Sequence, residues 1–244
     1  MKRFNLSLLT KEQKETRKRI LEISYAQNLS HIGSCLSVVD IIDCIYKIKK
    51  RNDKFILSNG HAGIALYTIL EKYKKIKDKD SIQELHIHPD RNPEIDIHVS
   101  SGSLGQGLPI AIGIALANKK RTIYCAISDG ECAEGSIWEA LRIIVDLEIP
   151  NLKIIVNANG WGAFSAIETK KLYQRLKAFG IKSIEVQGHD MKEIMRALQV
   201  KSSKSMLVFA HTTSDQLPFL KGQDAHYYAM NENDYEKALK MLRI

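Results

Sequence analysis

The second half of the chain alternates short apolar strands with helical segments, and this alternation limits the possible folds more than any other feature of the sequence. The pattern predicts strands at 122–128, 152–158, 182–186 and 205–210, each followed by a segment with helical spacing. Strands separated by helices pair in parallel, because each connection crosses over one face of the sheet. Strands rich in β-branched apolar residues are typical of sheets that are buried on both faces. We therefore expect an α/β protein, with a parallel β-sheet flanked by helices on both faces.

The first half of the chain is predicted to be mainly helical. Helical spacing is found at 11–27, at 37–48 and in a third segment that ends near Tyr73, and a short strand is predicted at 54–58. Thr10 and Gln13 have the spacing of a capping box for the first helix, and Ser37 is positioned to cap the second.

The sequence shows no linker that would divide it. We expect one domain over 1–244, with the helical segment 1–53 packed on the sheet. The stretch 76–100 has mixed charge, histidines and two prolines, which predicts a long loop, and loops of that length inside a domain are usually functional or mobile.

Composition and charge exclude several classes of protein. The longest apolar stretch, 108–117, is far shorter than the roughly 20 residues that span a bilayer, and the N-terminus lacks the apolar core of a signal peptide, so we expect a cytoplasmic protein. The four cysteines form no CxxC pair and are predicted to be buried, reduced thiols. The net charge of +8 comes from dispersed lysines, and no nucleic-acid-binding module is present. A solvated lysine-rich surface explains this charge, and an acidic second chain is another possible cause.

Two polar residues follow neighbouring segments of the predicted sheet. Asp129 comes directly after the strand at 122–128, and Asn159 follows the strand at 152–158. Ligands of such sheets bind at the carboxyl ends of the strands, and one crossover can bring both side chains to that edge. Carboxylate and amide oxygens suit Mg²⁺ or Ca²⁺ better than zinc, and Gly130 would let a diphosphate approach the backbone closely. Asp-Gly and Asn-Gly are also common turn dipeptides, so each residue alone is equally consistent with a turn.

Other candidate residues lie in turns and loops. The glycine-rich stretch from Gly102 to Gly107 opens a predicted helix, whose free amides could hold a phosphate. Of the eight histidines, His31, His61 and His88 lie beside turns or in loops. His86 and His88 could chelate a transition metal, but no further ligand has the usual spacing.

Five motifs, in order along residues 10–240, together resemble the N-terminal, diphosphate-binding section of transketolases. The resemblance is strongest to the short subunit of split transketolases. The motifs are His31–Gly33, Leu57–Ala62, His88–Asp90, Ser101–Leu108 and the pair Ser128–Glu131 and Glu134–Ala140, with Asn159 at the asparagine that closes the thiamine diphosphate motif.

The resemblance implies thiamine diphosphate and Mg²⁺ as cofactors, bound in the family's α/β fold. Asp129, Asn159 and the backbone carbonyl of Trp161 would ligate the metal. The implied cofactor-binding residues are His61, Gly102, Ser103, Leu104, Gly130, Asn159 and His226. His31 and His88 would face the substrate as catalytic residues, and Glu134 would join a proton network at the subunit interface.

The activity implied by the resemblance is transfer of a two-carbon ketol unit from a ketose phosphate to an aldose phosphate. In this family a glutamate of the pyrimidine-binding domain activates the cofactor. That domain and the C-terminal domain have no counterpart in 1–244, so we expect a partner subunit to supply them. A homodimer of this subunit, or a heterotetramer with two partner subunits, is the expected assembly. The sugars themselves stay open.

Several positions depart from the family's pattern, and they keep alternatives open. Ser128 replaces a glycine near the expected diphosphate, and Ala158 precedes the motif asparagine where many relatives carry a polar residue. Thr213–Gln216 replaces a lysine- and glycine-rich element that precedes His226, and the loop 74–88 is short. One alternative is the α component of a 2-oxoacid dehydrogenase or decarboxylase. Another is a non-catalytic subunit that retains the cofactor site.

Overall fold

A parallel β-sheet of five strands forms the centre of the computed structural model, which describes residues 4–78, 81–82 and 85–243. The strands are β1 (Lys54–Leu57), β2 (Ile123–Ser128), β3 (Leu152–Ala158), β4 (Lys182–Gln187) and β5 (Met206–His211). Their order across the sheet is β1-β2-β3-β5-β4, and all four pairings are parallel. The predicted fold class is confirmed.

Helices cover both faces of the sheet. One face carries α1 (Lys11–Ala26), α2 (Ile32–Ile48), α3 (Gly63–Lys72), α7 (Met191–Gln199) and α8 (Glu232–Leu242); the other carries α4 (Gly107–Ala117), α5 (Gly135–Asp146) and α6 (Thr169–Lys177). Alternate side chains of β2 point to opposite faces of the sheet. Tyr124 and Ala126 pack in the core on the side of α2, and Cys125 and Ile127 pack in the core on the side of α4. The strands are therefore apolar along their whole length because each face packs against helices.

The start of the second helix was predicted wrongly. The first helix has the predicted capping box between Thr10 and Gln13. The second begins at Ile32, five residues before the predicted start, so Ser37 is an interior residue and not a cap. Gly33 and Ser34 interrupt the apolar pattern, but a Cβ at Gly33 would lie only 3.0 Å from Cβ of Ser214. Packing against a distant segment thus places a poor helix former inside the helix.

The long loop at 76–100 includes the short 3₁₀ turn Pro93–Ile95, and residues 79–80 and 83–84 of this predicted loop lie outside the described residues. The four cysteines are buried and free, as predicted. Within the described ranges, no helix combines the length and the apolar character needed to cross a bilayer.

Candidate active site

The structure brings Asp129 and Asn159 together at the carboxyl edge of the sheet. Strands β2 and β3 are neighbours, so the loops that follow them meet. The Asp129 carboxylate accepts the amide of Gly130 at 3.0 Å and that of Gly160 at 2.7 Å. Oδ1 of Asn159 accepts the amide of Trp161 at 2.9 Å. Both side chains are nearly buried and line one cleft of about 490 Å³.

The electrostatics of this pair suit a divalent cation. Burial raises the pKa of Asp129 to about 7, although backbone amides partly offset the penalty of desolvation. A Mg²⁺ ion would relieve that penalty, and carboxylate, amide and carbonyl oxygens are its usual protein ligands. The carbonyl oxygen of Trp161 lies on the same side, 3.5 Å from where a Cβ of Gly130 would be. The residues present therefore fit the metal.

The glycine after Asp129 keeps the cleft open. A Cβ at Gly130 would lie 3.1 Å from Cα of Gly162, which leaves little room for a side chain between the two loops. A diphosphate can therefore approach the backbone here.

Ser128 has a local hydrogen-bonding role that the sequence did not reveal. Its hydroxyl accepts the amide of Glu131 at 3.1 Å, and the Glu131 carboxylate accepts the amide of Ser128 at 3.3 Å. This reciprocal pair resembles a capping box and occupies the hydroxyl oxygen. The serine therefore stabilises the turn that carries Asp129.

Glu131 is a buried residue that sequence reasoning missed. Its carboxylate also accepts the amide of Gly105 at 2.7 Å and the hydroxyl of Ser58. It therefore holds together the turns after β1 and β2 and the glycine-rich loop, and its burial raises its pKa. The only sequence signal is its place in the Ser-Asp-Gly-Glu motif.

Two glycines with positive φ angles bring the glycine-rich loop to the cleft. Gly102 has φ +144°, and a Cβ there would lie 2.9 Å from the ring of His88. Gly105 has φ +80°, and a Cβ there would lie 2.3 Å from Oγ of Ser136. Leu104 lines the cleft, whereas Ser103 is exposed. Glycine is therefore required at both positions by conformation and by space.

Four histidines from distant parts of the chain form one cluster beside the cleft. The His31 ring lies 5.2 Å from His61, 6.5 Å from His88 and 5.1 Å from His226, measured between ring centroids. His61 and His226 line the cleft. Tyr227, which sequence reasoning did not single out, is 62% exposed and has its ring edge against His31 and His226.

Burial favours the neutral form of three of these histidines. Desolvation, with help from the neighbouring imidazoles, lowers the pKa of His31 to about 4 and that of His61 to about 3, and burial also lowers the pKa of His226. Nδ1 of His31 is buried without a hydrogen-bond partner among the described residues.

The remaining predicted site residues have clear positions. Glu134 precedes α5 as its N-cap residue, is exposed, and lines the outer part of the cleft. His86 and His88 belong to no metal-binding group, because the described residues contain no cluster of three or more His, Cys, Asp or Glu side chains that could hold a metal.

The departure at Thr213–Gln216 has a structural explanation. Gln216 is buried, and its amide oxygen accepts Nε of Arg17 at 2.8 Å. The Asp215 carboxylate accepts the amide of Gly222 at 3.2 Å. These bonds fix the segment that ends at His226, and so place this histidine in the cleft without a lysine- and glycine-rich element.

Comparison with known proteins agrees with this geometry. Residues 15–242 match the family described as "Transketolase, thiamine diphosphate binding domain". One of the subunits of the apulose-4-phosphate transketolase of Phocaeicola vulgatus is 29% identical, over 97% of this chain and 94% of the relative. The protein of the same name from Actinobacillus succinogenes is also 29% identical, over 100% and 99%.

Solved structures give the same fold. The transketolase of Campylobacter jejuni matches with a TM-score of 0.82 at 25% identity, over 95% of this chain and 42% of that one. A variant transketolase of Pichia stipitis matches with a TM-score of 0.85 at 22% identity, over 96% of this chain and 40% of that one. This chain thus spans about two fifths of the length of these solved transketolases. The chain belongs to the transketolase family, and it is that family's thiamine diphosphate-binding domain.

Proposed function

We propose that this chain is the cofactor-binding subunit of a split transketolase, a single domain that works with a partner subunit. The proposed reaction moves a two-carbon ketol unit from a ketose phosphate to an aldose phosphate. The observation that carries it is one cleft, lined by the Asp129–Asn159 pair and bordered by a cluster of four histidines. Two near full-length relatives are each named as one of the subunits of a transketolase, which supports the division into two chains.

The cleft offers a set of ligands for magnesium thiamine diphosphate. Asp129, Asn159 and the carbonyl of Trp161 would hold the metal. The diphosphate would contact Gly130, whose lack of a side chain leaves room for it, and would accept hydrogen bonds from His61 and His226. The backbone of 102–104 would lie beside the cofactor rings. When bound, the cofactor would supply the nucleophilic carbon and the electron sink that breaking and forming the carbon–carbon bond require.

The histidine cluster would orient the sugar. His31 is neutral and only half-buried, so its ring can accept a hydrogen bond from a substrate hydroxyl, and the His88 ring lies beside it. Glu134 is exposed at the rim, where it can exchange protons with groups of a docked subunit.

The outer face of α4 is the proposed contact surface for the partner subunit. This helix has no polar side chain between Gly107 and Ala117, and Ile110 and Leu116 are each 39% exposed. A helix that is apolar all round is normally buried. Two chains that each carry a charge of +8 repel one another, which favours a partner of different composition over a second copy at this face. If each chain binds one partner subunit and two of the resulting pairs associate, the assembly is a heterotetramer.

The substrate class follows from the relatives. Because the matched subunits are named for apulose 4-phosphate, this ketose phosphate is the first donor to assay, with pentose phosphates as the general comparison. A cytoplasmic location is part of the proposal, since the four buried thiols are free and a reducing compartment keeps thiols in this state.

The test is reconstitution with the polypeptide encoded beside this chain. Ketose phosphate consumption is measured with thiamine diphosphate and Mg²⁺ for the chain alone, for the partner alone and for the mixture. We expect turnover only in the mixture, and we expect Asp129→Asn to abolish it. Asp146→Asn, which breaks an exposed ion pair with Arg142, is the matched control and should retain full activity.

Three results would contradict parts of this proposal. Turnover by the chain alone would exclude the need for a partner. A mixture that binds the cofactor without turnover on any sugar phosphate would indicate a non-catalytic subunit. Full activity of Asp129→Asn would exclude the proposed metal site.

A further inference from the structure

The side-chain amide of Asn159 donates a hydrogen bond to a serine that lies outside the cleft. Ser37 is fully buried in the interior of α2. Its Oγ is 2.9 Å from the carbonyl oxygen of Ser34, 2.9 Å from Nδ2 of Asn157 and 3.4 Å from Nδ2 of Asn159. The hydroxyl thus joins the helix to the tip of β3.

Counting protons fixes the direction of each of these bonds. A serine hydroxyl has one proton, and that of Ser37 is donated to the carbonyl of Ser34. Its oxygen can therefore only accept from the two asparagines, so each must present its NH₂ group to Ser37. Thr212 supports this arrangement, because its hydroxyl donates to Oδ1 of Asn157 at 2.6 Å.

The consequence is a defined orientation at the proposed metal site. With its NH₂ group turned to Ser37, Asn159 presents Oδ1 on the opposite side, where it now accepts the amide of Trp161. A flipped amide would present two N–H groups to a cation in place of a lone pair. Because the oxygen and nitrogen of an amide have nearly the same shape, packing alone does not exclude the flip, whereas an acceptor-only neighbour does.

We infer that Ser37 is a positioning residue, which holds the Asn159 amide with its oxygen toward the divalent cation shared with Asp129. This inference rests on the proposed function, because it concerns the same cofactor site. Hydrogen bonds from outside the ligand shell typically change metal affinity about 10- to 100-fold when removed.

The test measures metal affinity apart from activity. Mn²⁺ binding to the full chain with thiamine diphosphate, alone and mixed with its partner, is followed by loss of the free Mn²⁺ electron paramagnetic resonance signal. We expect Ser37→Ala to weaken Mn²⁺ binding about tenfold. Ser205→Ala is the matched control: Ser205 is also buried, donates to the carbonyl of Ile149 at the other edge of the sheet, and should bind Mn²⁺ like the wild type.

A second pair of variants keeps the test decisive if Ser37→Ala does not fold. Thr212→Val preserves shape but removes the donor to Asn157, so it should weaken Mn²⁺ binding by a smaller factor, and Thr212→Ser should restore it. Wild-type Mn²⁺ affinity in Ser37→Ala would overturn the inference. If Ser37→Ala does not fold, wild-type Mn²⁺ affinity in Thr212→Val would overturn it instead. A wild-type chain that shows no cofactor-dependent Mn²⁺ binding would instead contradict the proposed function.

Discussion

The buried histidines make the stability of the chain depend on pH. His61 is 8% exposed, and burial lowers its pKa to about 3, from an ordinary value near 6.5 in the unfolded chain. Below pH 6.5 the unfolded chain therefore takes up a proton at this residue while the folded chain does not. Stability is lost as the pH falls from about 6.5 toward 3, and this histidine has no such effect above pH 7.

Replacing His61 should reduce that loss. A pKa difference corresponds to about 1.4 kcal/mol for each pH unit within this window. Between pH 6.5 and 5.0 we expect His61→Gln to lose about 1–2 kcal/mol less stability than the wild type, measured by urea unfolding of the cofactor-free chain. Equal losses in the two proteins would mean that His61 is protonated in the folded state.

Some residues of the site follow from local sequence, and others do not. Asp129 and Asn159 were predicted to be neighbours because each directly follows a strand, and the structure places them together. His31, His61 and His226 meet only through tertiary packing, so their proximity came from family resemblance and not from spacing. Glu131 was not predicted because its hydrogen-bond partners lie on three separate turns, and a local sequence pattern does not indicate such contacts.

At the scale of elements, the strands were predicted to within about one residue, whereas the start of α2 was missed by five residues. The strand expected at 152–158 is Leu152–Ala158, and the one expected at 122–128 is Ile123–Ser128. These boundaries are marked locally, by turn residues on either side of an apolar run. The start of α2 is set by the fit of Gly33 against Ser214, which is distant in sequence and therefore invisible to a local pattern.

The apolar helix α4 offers a test of the proposed partner surface. Ile110 is part of that surface, so Ile110→Lys should leave the free energy of unfolding of the isolated chain within about 0.5 kcal/mol of the wild type. The same change should weaken association with the partner at least tenfold, as measured by analytical ultracentrifugation. Leu8→Lys is the matched control, because Leu8 is 81% exposed in the 3₁₀ turn before α1.

Gly113 gives a second, steric test of the same surface. A Cβ at this position would meet no described atom within 4 Å, so Gly113→Ala should stabilise the isolated chain by about 0.5–1 kcal/mol. If the partner approaches the helix closely here, the added methyl group should also weaken association. Unchanged association in both Ile110→Lys and Gly113→Ala would show that the partner docks on another face.

At the scale of the whole molecule, the sequence predicts the architecture but not the arrangement of the strands. Parallel pairing follows from the crossover helices. The order β1-β2-β3-β5-β4 depends on which helix covers which face, and therefore on contacts between residues far apart in the chain. This order makes β2 and β3 central, so their ends are enclosed by loops from both sides, which is where the cleft lies.

The distribution of charge predicts how the two subunits should meet. The chain carries a net charge of +8, yet α4 has no charged residue between Gly107 and Ala117. Charge would then attract an acidic partner over long distances, whereas the contact itself would be apolar.

Raising NaCl from about 50 to about 500 mM shortens the Debye length roughly threefold, so the association rate should fall at least tenfold while the dissociation rate changes little. Stopped-flow mixing with a fluorescently labelled partner measures both rates. An association rate independent of salt would mean that the lysines serve solubility alone, and equally steep salt dependence for duplex DNA would mean that the surface does not discriminate between acidic partners.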